Sequence, residues 1–129
     1  MSDRTKTRRV THAELETWPG KVTTEGGEQR ILQGSDYGLS TSVMESEVVP
    51  GGGPQRHKHP HAELFVVYEG EGRYEVEGVV LAAAAGDVVI VPPDAWHSFV
   101  NPGPGLLRQI VIHENPRIQT LFEDGSTRD

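Results

Sequence analysis

The chain has 129 residues, a net charge of −7, 15 Gly, 9 Pro, 6 His and no Cys. That length is one domain, and it is enough to bury a core without disulfides or a structural metal. The missing Cys excludes disulfide scaffolds, thiol nucleophiles and Cys-ligated zinc, the acidic balance argues against nucleic acid as a partner, and no run approaches the ~20 apolar residues of a membrane span.

Residues 1–9 carry Arg4, Lys6, Arg8 and Arg9 against Asp3 and read as a flexible basic tail. The segment has no apolar stretch of the secretory-signal type, so the cytoplasm is the expected compartment. Thr11 with Glu14 three residues on reads as a capped helix start. Residues 10–48 are expected to add N-terminal strands and a dimerisation segment, with a strand over Gly38–Val49. Beyond that, Gly and Pro fall at 50–54, 60, 70–72, 78, 86, 92–93 and 102–105. They separate short runs rich in Val, Ile, Leu and aromatics, the rhythm of an all-β sandwich or barrel.

The predicted strands here are His57–His59, Leu64–Tyr68, Gly72–Val76, Asp87–Val91, His97–Val100 and Leu106–His113. Arg73-Tyr74-Glu75-Val76-Glu77 alternates, as a strand with one wet face does. Leu64–Tyr68 and Leu106–Ile112 are apolar on both faces, so a second subunit is expected to cover one of them, and a homodimer is predicted. Residues 117–129 read as a tail with a short helix over Arg117–Asp124, its apolar side formed by Ile118, Leu121 and Phe122.

Four of the six His lie between 57 and 97. His57 and His59 are two apart, so in a strand both rings project from one face and can reach one ion. His61 and Glu63 continue that parity, and His97 begins a later strand. Imidazoles with one carboxylate suit a divalent transition metal, Fe(II), Mn(II), Ni(II), Co(II) or Zn(II), rather than Mg(II) or Ca(II) with their all-oxygen shells. The spacing alone leaves surface histidines as an alternative.

Gly51-(x5)-His57-x-His59-(x3)-Glu63-(x6)-Gly70 and Gly86-(x5)-Pro92-x-Asp94-(x2)-His97-(x3)-Asn101 resemble the two motifs of the cupin family. Nine of the ten fixed positions fit, and Asp94 stands where the family usually has Gly. Asp tolerates positive φ next best, so the departure is mild. The resemblance implies a jelly-roll barrel core over 49–116 with a metal inside, held by His57, His59, Glu63 and His97. Related small cupins that cleave dimethylsulfoniopropionate carry a catalytic Tyr two residues after the metal Glu. Phe65 occupies that position here, so that activity is not expected.

Phe65 and Val67 share parity with Glu63, and Phe99 shares it with His97. Together with Tyr74 and Gln109 they are the expected substrate pocket. His113 shares a face with Gln109 and stays unassigned. His61 is expected at the pocket mouth, as a catalytic group beside Glu63, the candidate base. Three neutral imidazoles and one carboxylate leave a divalent ion two open positions. The leading expectation is therefore a dioxygenase-type oxidoreductase acting on a small organic substrate. The alternatives are a ligand-binding sensor without catalysis, or an isomerase, lyase or decarboxylase using the same metal.

Overall fold

The turn residues fall where the chain reverses, and the apolar runs between them become strands. The computed structural model describes residues 11–128; the basic tail lies outside the described residues. Twelve strands follow in order among the described residues. They are β1 (Gly20–Thr24), β2 (Gly27–Leu32), β3 (Ser42–Val48), β4 (His57–Lys58), β5 (Glu63–Glu69) and β6 (Glu71–Val76), then β7 (Val79–Ala84), β8 (Val88–Val91), β9 (His97–Val100), β10 (Leu107–His113), β11 (Thr120–Phe122) and β12 (Thr127–Arg128). They form two six-stranded antiparallel sheets, ordered β1-β2-β3-β10-β5-β8 and β12-β11-β4-β9-β6-β7. This is the jelly-roll arrangement, with the sequence-distant β3, β10 and β5 side by side.

The period-2 burial of β10 shows which face points in. Leu107, Gln109, Val111 and His113 are buried, while Arg108, Ile110 and Ile112 are partly exposed. Phe65, Tyr74 and Phe99 meet in the core with ring centroids 5.2–5.5 Å apart. Burying a side chain such as Phe65 contributes roughly 1.5–3 kcal/mol. Trp96 lies instead near the surface, with the Lys58 ammonium 4.7 Å from its ring centroid.

Turn chemistry explains the tight reversals. Glu77 (φ 49°) and Gly78 (φ 83°) form the two-residue loop between β6 and β7, both left-handed as this hairpin type requires. Asp94 adopts φ 63°, the conformation for which a Gly would be the usual choice. Its amide donates to the His59 carbonyl at 2.7 Å, which ties the loop before His97 to the first histidine pair. Asn101 is buried and holds three backbone groups: it donates to Val48 O and Gly105 O and accepts from Gly103 N.

Several elements differ from expectation. The helix start at Thr11 shrinks to a 3-10 turn over Leu15–Thr17, and Pro19 and Gly20 end it. The 117–124 segment is not a helix. Leu121 and Phe122 pair with Lys58 and His57, so β-pairing overrides a helical pattern too short to stand alone. β1 and β2 were not separately visible in the sequence. They lie in the chain's own sheet, beside β3. β7 was hidden because Val79-Val80-Leu81-Ala82-Ala83-Ala84 neither alternates nor carries the usual strand residues at its end.

Candidate metal centre

Register brings the distant histidines together. β4 pairs with β9 so that His57 stands opposite His97. Glu63 begins β5 beside His113 at the end of β10. His57, His59, Glu63 and His97 are all buried, and one ligand atom from each lies within 4.8 Å of the others. This cluster is able to hold a metal ion.

Backbone carbonyls orient the three rings. Nδ1 of His57 lies 2.7 Å from Gln55 O, that of His59 2.7 Å from Gln119 O, and that of His97 2.9 Å from Ala95 O. A carbonyl only accepts, so each Nδ1 carries the proton and each Nε2 presents a lone pair inward. This is the usual second contact of a ligating His.

Glu63 Oε1 lies 2.7 Å from His97 Nε2 and 3.3 Å from His59 Nε2, yet none of these three buried atoms has a hydrogen bond of acceptable geometry. Buried polar atoms without partners are rare. Donors 2.0–2.2 Å from one ion and at right angles stand about 3 Å apart, close to these separations. The donor set, its tautomers and its orphaned atoms fit a divalent transition metal.

Electrostatics follow the same geometry. Burial lowers the His57 pKa to about 4, with the neighbouring His97 charge adding to it. Burial also pushes His97 down, but the Glu63 carboxylate outweighs it and the net shift is upward. Burial alone raises the Glu63 pKa, yet the His59 and His97 contacts and the His113 charge hold it well below the ordinary carboxylate value.

The cluster opens on a cavity of about 90 Å³ whose lining includes Phe65, Phe99 and Gln109. Val67 and Tyr74 are buried but do not line it. Val67 belongs to the core, and the Tyr74 hydroxyl reaches forward to donate to Gln109 Oε1. His61 is not at a pocket mouth. It is only 7% exposed, its ring stacks on His59 at 5.1 Å, and its Nε2 lies 3.1 Å from His113 Nδ1.

His113 in turn places Nε2 3.4 Å from Glu63 Oε2. Its closeness to the carboxylate was not legible from its isolated position, although it shares the interior face with Gln109. Arg128, also on the cavity wall, was missed altogether. Only the β11–β12 hairpin brings it there. Among the described residues no helix is long and apolar enough to cross a membrane.

The chain is 35% identical over 68 residues to 1-methylthio-D-xylulose 5-phosphate methylsulfurylase of Rhodospirillum rubrum, covering 53% of this chain and 44% of that one. It is 33% identical over 89 residues to gentisate 1,2 dioxygenase 1 of Aquipseudomonas alcaligenes, covering 62% and 26%. The chain thus spans less than half the length of both relatives. Oxalate decarboxylase of Lactobacillus farciminis shares the fold at a TM-score of 0.74 and 23% identity, over 81% of this chain and 33% of that one. Residues 44–113, just over half the chain, match the cupin domain, and the chain belongs to the cupin family.

Proposed function

We propose that the protein is a metal-dependent dioxygenase-type oxidoreductase acting on a small organic substrate, with His57, His59, Glu63 and His97 as the metal ligands. The observation that carries this reading is the convergence of His57, His59, Glu63 and His97 in one buried cluster beside the cavity, with His59 Nε2, His97 Nε2 and Glu63 Oε1 left without hydrogen bonds. Likeness to a gentisate dioxygenase supports it. Held by these four residues, a redox-active divalent ion would supply electron transfer with dioxygen.

The chain's own residues supply the remainder. Phe65 and Phe99 exclude water from one wall. Glu63 is the proposed base, since its Oε2 faces His113 rather than the other ligands. His61 touches the site through its stack on His59 and its contact with His113, and positions both rings.

The test is metal analysis of the purified protein against a His57→Ala/His97→Ala variant, followed by anaerobic Fe(II) loading and oxygen electrode measurements with enols, catechols and thiols. One metal equivalent lost in the variant, and O2 consumed by the parent, are expected. A parent without metal, or without O2 uptake across the panel, refutes the reading. One relative is named for methylsulfurylase rather than oxygenase activity, which supports a second reading: isomerase, lyase or decarboxylase chemistry at the same site, in which turnover proceeds without O2.

We also propose a homodimer. Leu32, Val43, Ile112, Leu64 and Ile90 stand in register across five strands. None of these is fully buried and Ile90 is 68% exposed. Such a row on a sheet's outer face suits a second copy of the chain. The cytoplasm remains the proposed compartment.

A further inference from the structure

The interior of the sheet that holds β3, β10 and β5 is tiered by register. The first tier holds Glu63 and His113, at the metal cluster. Two residues along, Ile31, Met44, Val111 and Phe65 form an apolar tier. Two residues further, Gln29, Ser46 and Gln109 stand side by side. All three line the same cavity as the metal cluster.

This third tier has unused donors. Ser46 is 1% exposed and Gln109 is fully buried, yet Ser46 Oγ and Gln109 Nε2 have no hydrogen-bond partner. Tyr74 donates to Gln109 Oε1, so the unpartnered end of this side chain is its amide nitrogen. Arg128 adds a charge. It stands opposite Thr120, whose buried side chain lies beside His59, so both project from the inner face. Its guanidinium carbon lies 5.3 Å from the Phe122 ring centroid.

Arg128 lines both the inner cavity and an adjoining outer chamber of about 370 Å³, as do Gln29 and Ser46. Glu28 and Glu47 also border the outer chamber, but Lys21 and Arg30 engage the first and Arg108 the second. Arg128 has no carboxylate partner among the described residues.

We infer that Arg128, Ser46 and Gln109 bind the carboxylate of the substrate, whose apolar body lies against Phe65 and Met44 and whose far end meets the metal cluster. One guanidinium with a hydroxyl and an amide matches a singly charged, planar, acceptor-only group. The inference rests on reading the cavity as a metal-centred active site, although the carboxylate grip itself needs no metal. Arg128 is then a specificity-determining residue supplied by the last strand.

The test uses the full chain as purified, with metal content measured on the same sample. Calorimetric titration compares benzoate with benzamide, its neutral isostere. Benzoate is expected to bind more tightly, Arg128→Gln to weaken it roughly tenfold or more, Arg128→Lys to restore part of the loss, and benzamide to be unaffected. Ser46→Ala weakens benzoate by a smaller factor. Arg128 is exposed, so an unchanged thermal midpoint in Arg128→Gln separates loss of binding from loss of fold. No heat of binding at millimolar benzoate, or equal affinities in the parent and Arg128→Gln, overturns the inference. A sample that lacks metal but still discriminates benzoate refutes the metal-enzyme reading and leaves the grip standing. A metal-loaded sample without discrimination does the reverse.

Discussion

Acid is expected to destabilise the metal-free protein through its buried imidazoles. The His57 pKa is lowered from 6.5 to about 4 and that of His113 from 6.5 to about 3, in both cases chiefly by burial. The unfolded chain therefore takes up these protons first. The stability each neutral ring contributes is complete above pH 6.5 and is lost as the pH falls toward the folded value. For His57, with a side chain 7% exposed, the loss between pH 6.5 and 4 is about 3 kcal/mol at ~1.4 kcal/mol per unit. His113 adds to it, by less than the simple sum, because the two rings repel one another when charged.

Two neighbours do not cancel this slope. The raised His97 pKa contributes stability that is constant below 6.5 and is lost only as pH rises through the folded value. Glu63, held well below its ordinary 4.5, contributes stability that persists above 4.5 and falls only under it. A small domain has roughly 5–15 kcal/mol in total, so the effect is large. Urea unfolding of chelator-treated protein at pH 7, 6, 5 and 4 measures it. The midpoint is expected to fall steadily from pH 6 to pH 4, and His57→Gln to flatten that slope by one group's share. A midpoint that is constant or rises toward pH 4.5 refutes the reasoning.

Three further outcomes are expected. Gly70 adopts φ 78°, and a Cβ there would sit 2.1 Å from Leu106 O, so Gly70→Ala costs ~2–4 kcal/mol by denaturant unfolding. Gly86 has φ 98° but open space around it, so Gly86→Ala costs only about 1 kcal/mol, and equal losses at the two sites contradict the steric argument. Asn101→Ala removes both donors and the acceptor of a 1% exposed side chain and leaves the buried Val48 carbonyl without that partner, a loss of roughly 2–3 kcal/mol in the same assay. Leu64→Lys in the aliphatic row is expected to convert a sedimenting dimer to a folded monomer; a parent that sediments at 14.1 kDa at micromolar concentration refutes the dimer.

Much of the site's outline was legible because strand parity is local. His57 and His59 share a face from spacing alone, Glu63 shares it with Phe65, and Leu107 to His113 alternates with the same inward set that the structure shows. The Gly and Pro punctuation marked the reversals, since those residues meet the backbone demands of such turns most readily, though Glu77 and Asp94 also take left-handed positions. The jelly roll and the family were implied by the resemblance of the two motifs to those of the cupin family.

The rest is long-range pairing, which no local pattern encodes. Residues 117–124 carry a helical pattern but form a strand because β4 offers an edge to pair with. His61 shares the ligands' parity yet turns away to His113, and Val67 and Tyr74 share the inward face but sit behind the cavity wall. Gln29, Ser46 and Gln109 are separated by 17 and 63 positions and become one tier only through sheet register. The sequence determined which side chains face inward, because that depends on a two-residue period. The tertiary structure alone decided which of them meet, because β-sheet neighbours are set by where distant strands find partners, and so it was the fold that brought Arg128 from the last strand to the cavity holding the histidines.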